Sequence, residues 1–347
     1  MQTTRIAVAG AGYIGQAHIT VLQSSSTVSL CAVVDPSPAA QAIAASAGVA
    51  WFASLDDLLA VQRPDGIVLA TPNALHESHA LQCITARVPI LLEKPIAPTV
   101  KEAEHIVALS EKKGTPVLIG HHRAHSPIMA KACEVVHGGQ LGRIVAVQGS
   151  AMFYKPDEYF VQAAWRRELG AGPILLNMIH EVHNLRMLCG EIEAVQAFKS
   201  HAVRGFAVED TVAITLQFVS GTLGTFMLSD TAASAKSWEQ TSQENKAYPS
   251  YSDEDCYCVS GTKGSLAVPT MRLKTYASDA DRSWWKPFEV SQASVALDDP
   301  IKLQMAHFGA VVRGECAPLV SARDGLQNLR VTEAIVKAAQ MGSTVKL

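Results

Sequence analysis

The sequence predicts a two-domain α/β protein. An N-terminal doubly wound domain on a parallel sheet spans residues 1–123, and a C-terminal α/β domain on an open, mostly antiparallel sheet spans residues 124–347. Three observations predict it. The chain has 347 residues, more than one ordinary hydrophobic core holds. In the first third, short continuous apolar runs alternate with helical patterns, as strands covered on both faces by crossover helices do. Further on, apolar and polar residues alternate within the runs, which leaves one sheet face open or covered by a partner.

Taken in order, Ile6-Ala7-Val8-Ala9 is the first strand, followed by a Gly-rich turn and a helix from Ile14. Residues 28–34 form a second apolar run that ends at Asp35. Strands follow at residues 66–71, 89–93 and 116–120, with helices from Leu75 and over residues 101–112. In the remainder, residues 142–154, 194–201, 210–218, 223–229, 256–259 and 266–268 are strand candidates, and Ser220-Gly221 marks a hairpin turn. Helices are expected over residues 174–188, 302–313 and 322–339. Residues 234–254 are polar and aperiodic, yet carry Trp238, Tyr248 and Tyr251, the composition of a functional loop.

The bulk numbers exclude several classes. A net charge of −3 with no block of Lys or Arg argues against nucleic acid or an anionic membrane as partner. Seven cysteines, an odd number mostly inside apolar runs, read as free thiols of a reducing compartment. Cys256-Tyr257-Cys258 is too tightly spaced for a zinc pair and suits alternate faces of a strand. Met1-Gln2-Thr3-Thr4-Arg5 runs directly into the first strand without a signal-peptide core, and no later apolar run spans a bilayer, so a cytoplasmic protein is expected.

Gly10-Ala11-Gly12-Tyr13-Ile14-Gly15 lies between a strand and a helix. The first glycine permits a tight turn, the second lets the backbone approach a pyrophosphate, and the third lets helix and strand pack closely. Asp35 ends the second strand twenty residues after Gly15, where a carboxylate accepts from both ribose hydroxyls. Together these features predict a Rossmann domain. A carboxylate also repels a 2′-phosphate, and Pro36-Ser37 supply no Arg to receive one, so NAD is expected over NADP.

Two further motifs end successive strands in the same domain, Ala70-Thr71-Pro72-Asn73 with His76 and then Glu93-Lys94-Pro95; later, in the second domain, Gly170-Ala171-Gly172-Pro173 leads into a helix bearing His180. With the Gly turn, these segments resemble the Gfo/Idh/MocA oxidoreductases across essentially the whole chain, most specifically at Glu93-Lys94-Pro95. The resemblance implies hydride transfer between a nicotinamide and a sugar, cyclitol or related polyol, and no metal. It implies cofactor contacts from Thr71, Pro72, Asn73, His76, Glu93, Lys94, Arg123, Trp165 and Arg166, beside Tyr13 and Ile14 of the Gly turn, and a substrate region near Lys94, His122 and His180. Asn177 and His183 are substrate candidates from their nearness to His180 on the expected helix, and Trp238 of the polar loop is a candidate to close over the substrate or cap a neighbouring subunit.

The residues themselves support part of this. An ammonium at a strand's carboxyl end, such as Lys94, can stabilise the alkoxide that develops as hydride leaves, and Pro95 holds Lys94 extended. An imidazole titrates near neutrality, so His180 suits proton exchange with the carbinol; a structural histidine is the alternative. His180-x-x-His183 beside Glu181 holds plausible metal ligands but lacks an evident third. Relatives commonly carry Asp four residues before and three after the histidine; here Leu176 and His183 stand there, with Asn177 one helical step (about 100°) away. Lys155, Arg166 and Arg167 would suit an acidic sugar, and His125 reads as a surface residue at a helix start. The competing functions are a dehydrogenase or reductase of a carboxylated sugar or aromatic dihydrodiol, and a dinucleotide-binding sensor without turnover. The open C-terminal sheet face predicts a homo-oligomer, dimer or tetramer.

Overall fold

The structure, a computed structural model, describes residues 3–347. Met1-Gln2, the start of the direct run into the first strand, lies outside the described residues. The chain divides into two compact units, Met1–His125 with Asp299–Leu329, and Ser126–Asp298 with Arg330–Leu347.

In the first unit six parallel strands form one sheet: β1 Thr4–Ala9, β2 Val28–Val34, β3 Ala50–Phe52, β4 Gly66–Leu69, β5 Ile90–Leu92 and β6 Val117–Ile119. Their order is β3-β2-β1-β4-β5-β6. Ile6, Val8, Ile67, Val68 and Leu91 are fully buried, as residues between two helix layers must be. The intervening helices are α1 Tyr13–Ser24, α2 Pro38–Ala47, α3 Leu55–Val61, α4 His76–Thr85 and α5 Val100–Lys113. The Ser37, Ser54 and Thr99 side chains cap α2, α3 and α5 by accepting from Ala40 N, Asp57 N and Glu102 N. α2 and α3 escape a periodicity reading, because α2 is an alanine-rich segment with little contrast between faces and α3 is only seven residues long. Strand order reverses between β1 and β4, so the loops at their carboxyl ends diverge and leave a crevice where such sheets bind ligands.

The second unit holds nine strands: β7 Ile144–Met152, β8 Ile192–Ser200, β9 Thr211–Phe218, β10 Leu223–Ser229, β11 Tyr257–Gly261, β12 Gly264–Val268, β13 Arg272–Thr275, β14 Glu289–Gln292 and β15 Val345–Lys346. The order is β14-β13-β12-β11-β7-β10-β9-β8-β15. β7 and β10 are parallel and the other neighbours antiparallel, so the expected open, mostly antiparallel sheet is present. Phe226 pairs with Ile214 and Leu228 with Val212 on the buried face. That face shares a core with residues of helices α6 Pro127–His137 and α8 Ile179–Cys189. The other face is exposed along Ala213, Thr215, Gln217, Leu223, Thr225 and Met227. β13, β14 and β15 carry no clean alternation to read; every residue of β14 is exposed. Two short helices, α7 Asp157–Val161 and α9 Trp238–Thr241, interrupt loops, the second inside the polar stretch 234–254.

Two helices complete the chain, α10 Pro300–Val312 and α11 Ala322–Met341. The chain leaves the first unit at His125 and returns to it at Asp299. The reason is packing: Phe308 and Val312 approach Gly66 so closely that a Cβ there would lie 2.8–3.0 Å from them. An apolar helix pattern announces burial without naming the sheet it covers. Residues 322–329 of α11 belong to the first unit, and Val331, Ala334, Ile335 and Ala338 enter the core of the second. The seven cysteines are free thiols, three of them (Cys83, Cys189 and Cys256) buried. Among the described residues no helix is long and apolar enough to cross a membrane.

Candidate active site

The first unit gathers its candidate residues at the carboxyl ends of its strands. Gly10 follows β1 at φ +92°, and a Cβ there would strike the Ala70 carbonyl after β4. Gly15 packs onto the Gly10 carbonyl, which a Cβ would meet head-on. At Gly12 a Cβ would touch nothing within 4 Å, so this backbone faces open space at the start of α1. Tyr13 is exposed beside it and Ile14 half-buried. The three glycines therefore do three different jobs: turn, access and close packing. A pyrophosphate fits that open N-terminus.

Asp35 ends β2 with both carboxylate oxygens tied to backbone: Ala11 N donates to Oδ2 at 2.9 Å and Ser37 N to Oδ1 at 2.9 Å. Burial pushes this carboxyl upward, but the bonds from Ala11 and Ser37 outweigh it and the net shift is downward. An ionised, oriented carboxylate keeps acceptor sites for two ribose hydroxyls, since each oxygen carries two lone pairs.

Glu93 and Lys94 follow β5. The Glu93 carboxylate is buried against His18 of α1, with Nε2 to Oε1 at 2.8 Å, and it accepts from Lys94 N at 3.3 Å. Gly120 completes this seat, because a Cβ there would lie 2.8–2.9 Å from the Glu93 carboxyl atoms. Burial opposes the charge on Glu93, but the His18 bond and the charges of His18, Lys94 and His122 hold its carboxyl below the ordinary range. Glu93 thus braces the backbone that carries the half-buried Lys94. A side chain that holds the lysine loop was assigned by resemblance to cofactor contact; its partners His18 and Gly120 carry no signal in the sequence.

His76 joins two of the loops. Its Nδ1 lies 2.7 Å from Pro95 O and its Nε2 2.9 Å from Thr71 O. Two carbonyl partners call for N–H on both nitrogens, the imidazolium form. Burial works against that charge and pulls the pKa down overall, although both carbonyls and Glu93 oppose the fall. His76 is therefore a buried link between the Thr71 and Pro95 segments, while Pro72 and Asn73 remain exposed. After β6, His122 is half-buried and Arg123 buried, both in a turn that includes His125, itself half-buried rather than a surface residue. Buried His121 meets Asn328 Nδ2 through Nε2 at 3.1 Å, a contact supplied by the returning chain.

The second unit carries the other candidates on one continuous segment. Gly172 lies against Glu209, whose carboxylate a Cβ would strike, and Glu209 Oε1 accepts from Ile174 N at 3.0 Å. That carboxylate satisfies an amide at the helix start, where the backbone has no intrahelical acceptor. Ile174–Met178 then forms a π-turn that runs into α8. The wider turn makes the angle per residue smaller than the roughly 100° of a regular helix, so Asn177 lies closer to the face of Leu176 than a regular helix would put it. His180 and His183 are buried on α8. Glu181 accepts a short bond from Tyr257 Oη, and Asn184 Nδ2 donates to the same hydroxyl at 3.0 Å, so Glu181 is turned into the core.

Asn177 is held by Lys155, whose Nζ donates to Asn177 Oδ1 at 2.8 Å and lies 3.8 Å from Asp230 Oδ2. Arg204 Nε donates to Asp230 Oδ1 at 3.0 Å. Burial pulls the Lys155 ammonium down to about 8, against the charges of Asp230 and Glu239, and burial likewise raises Asp230. Arg166 stacks on Tyr159, 3.7 Å from the ring centroid, and its Nη1 donates to Tyr159 O at 2.6 Å. Trp165 is exposed. Trp238, expected in a functional polar loop near the substrate, is buried in the core beside Tyr257 and donates Nε1 to Glu244 Oε2 at 2.9 Å.

Residues 4–121 match the family model described as "Oxidoreductase family, NAD-binding Rossmann fold", and residues 134–347 match its "C-terminal alpha/beta domain". The 1,5-anhydro-D-fructose reductase of Ensifer adhaerens is 24% identical over 305 residues, covering 85% of this chain and 83% of the reductase. The inositol 2-dehydrogenase of Leifsonia xyli is 35% identical over 150 residues, 42% of this chain and 44% of that protein. Among solved structures, the WlbA dehydrogenase from Chromobacterium violaceum, in complex with NADH and UDP-GlcNAcA, superposes with a TM-score of 0.79 at 25% identity, covering 100% and 96% of the two chains. With both domain models matched in order, the chain belongs to the Gfo/Idh/MocA family of NAD(P)-binding oxidoreductases.

Proposed function

We propose that this protein is an NAD-dependent dehydrogenase that moves hydride between the nicotinamide and a secondary carbinol of a sugar, cyclitol or related polyol. The observation that carries the proposal is Lys94, placed at the carboxyl end of β5 on a backbone braced by a buried carboxylate. NAD held at the Gly10–Gly15 turn and Asp35 would supply the hydride acceptor for the carbinol carbon. Lys94 hydrogen-bonds the carbinol oxygen and stabilises the negative charge that grows there. His180 takes the hydroxyl proton in oxidation and returns it in reduction. Asp35 supports NAD over NADP, since an anion anchored by two backbone amides repels a 2′-phosphate.

Lys94→Met should lower kcat by about 10²–10³-fold, the usual cost of removing one transition-state donor, while NADH binding stays near wild type. Wild-type-like turnover by that variant overturns the role of Lys94, and a wild type that binds NADH but turns over no polyol overturns the dehydrogenase. A second copy of the chain would cover the exposed sheet face, where Phe198, Leu223 and Met227 stand in solvent. Phe198→Asp should then shift the sedimenting mass toward the monomer, and an unchanged monomeric wild type would refute the oligomer. The free thiols support a reducing, cytoplasmic setting.

A further inference from the structure

The Lys155–Asn177 contact fixes which end of an amide a ligand can meet. A lysine ammonium only donates, so the atom 2.8 Å from Lys155 Nζ must be the Asn177 oxygen, whichever way an amide might otherwise be turned. The ammonium is itself fixed: its side chain is largely buried, Asp230 lies 3.8 Å away, and its Nζ sits 5.1 Å over the Tyr159 ring. Asp230 is in turn held by Arg204, which also donates Nη2 to Lys155 O at 2.7 Å. Asn177 Nδ2 is therefore directed away from Lys155, and among the described residues it makes no hydrogen bond. The residue is partly exposed, although Met178, Ile179 and His180 that follow it are buried. It lies three residues before His180, at the junction of the π-turn and α8.

We propose that Asn177, oriented by Lys155, selects substrates that present a carboxylate next to the reacting carbinol, so that the substrate class is sugar acids rather than neutral polyols. The proposal rests on the reading of His180 as the group that exchanges the substrate proton. The chemistry is one of hydrogen-bond polarity. An amide N–H can only donate, and a carboxylate is an acceptor throughout. A neutral hydroxyl also accepts, but more weakly, since bonds to an ionised partner are about twice as strong. The ammonium behind the amide oxygen polarises the group and strengthens its N–H as a donor. Arg166, stacked on Tyr159, belongs to the same cluster, in which Lys155, Arg166 and Arg204 outnumber the carboxylates of Asp230 and Glu239.

Calorimetric titration of the NADH-saturated protein tests this without requiring turnover. The probes are three acids and their neutral counterparts: D-glucuronate with D-glucose, D-galacturonate with D-galactose, and D-gluconate with D-glucitol. At least one acid should bind tenfold or more tightly than its counterpart. Asn177→Asp replaces the donor by an acceptor that can pair with Lys155, so it should fold and lose or invert that ratio; Asn177→Ala should abolish the ratio without adding charge. Lys155→Met, which frees the amide to turn, should weaken it. The proposal falls if no acid binds, if each neutral sugar binds as tightly as its acid, or if the preference survives in folded Asn177→Asp. Failure here with turnover lost in Lys94→Met leaves the dehydrogenase standing and removes only the acid specificity. A wild type that turns over none of these compounds, with the acid ratio inverted in Asn177→Asp, does the opposite.

Discussion

Alanine at two glycines of the same turn should produce opposite phenotypes. At Gly15 an added Cβ runs into the Gly10 carbonyl, a backbone atom that cannot rotate away. Overpacking of this kind costs roughly 1–3 kcal/mol, and a unit of this size loses about 2–4 °C of Tm per kcal/mol. Gly15→Ala should therefore melt about 2–12 °C lower. At Gly12 the Cβ meets nothing within 4 Å, and φ is −71°, a value any residue adopts. Gly12→Ala should keep its Tm, or gain up to about 1 kcal/mol through a less flexible unfolded chain. The space it fills, however, is where the pyrophosphate approaches, so NADH affinity should fall roughly 10–100-fold, about 1.4–2.8 kcal/mol. Scanning calorimetry and NADH fluorescence titration read the two effects separately. Gly12→Ala with wild-type NADH affinity would refute the placement of the pyrophosphate at this turn.

Three other perturbations are informative. Asp35→Ser should lower the ratio of kcat/KM for NAD over NADP at least about tenfold, because it removes both the ribose acceptor and the repulsion of a 2′-phosphate; an unchanged ratio counts against the NAD assignment. Gly120→Ala should displace the Glu93 carboxylate and with it the Lys94 backbone; kcat should drop about 10–100-fold with NADH affinity little changed, and normal kcat would show that this brace is irrelevant to catalysis. Lys155 titrates near 8 when folded and near 10.5 when unfolded, so the unfolded chain holds the extra proton across that window and stability rises with pH through it. The stability of wild type relative to Lys155→Met should accordingly rise by up to about 3 kcal/mol between pH 7 and pH 10.5 in denaturant titrations, and a pH-independent difference would contradict the depressed value.

The features legible in the sequence are those whose physics is local. A glycine needed for φ +92°, a carboxylate at a strand end and a lysine after an apolar strand declare themselves by type and spacing, since the neighbours that matter are a few residues away. The features that escaped depend on partners far along the chain. His18 and Gly120 form the seat of Glu93 from 75 residues before it and 27 after it. Glu209 caps the segment of His180 from beyond the next strand, and Gly172 reads as a generic turn glycine until that carboxylate is seen against it. The polar loop 234–254 looked suited to a substrate because it holds Trp238, but an indole needs one acceptor to be buried well, and Glu244 supplies it six residues on.

Asn177 shows why a missing motif residue is not the same as a missing function. A regular 3.6-residue turn would put it one step off the face that Leu176 occupies. The π-turn over Ile174–Met178 alters that angle, and Lys155 then settles the orientation of the amide. Neither determinant lies in the spacing around His180: the π-turn is a backbone state without a sequence signature, and Lys155 arrives from 22 residues upstream. Residue type at one position therefore underdetermines its chemistry. The same asparagine would be an acceptor toward a ligand if a carboxylate or carbonyl stood where Lys155 stands. With an ammonium there it is a donor, and the group it meets on a substrate must be able to accept.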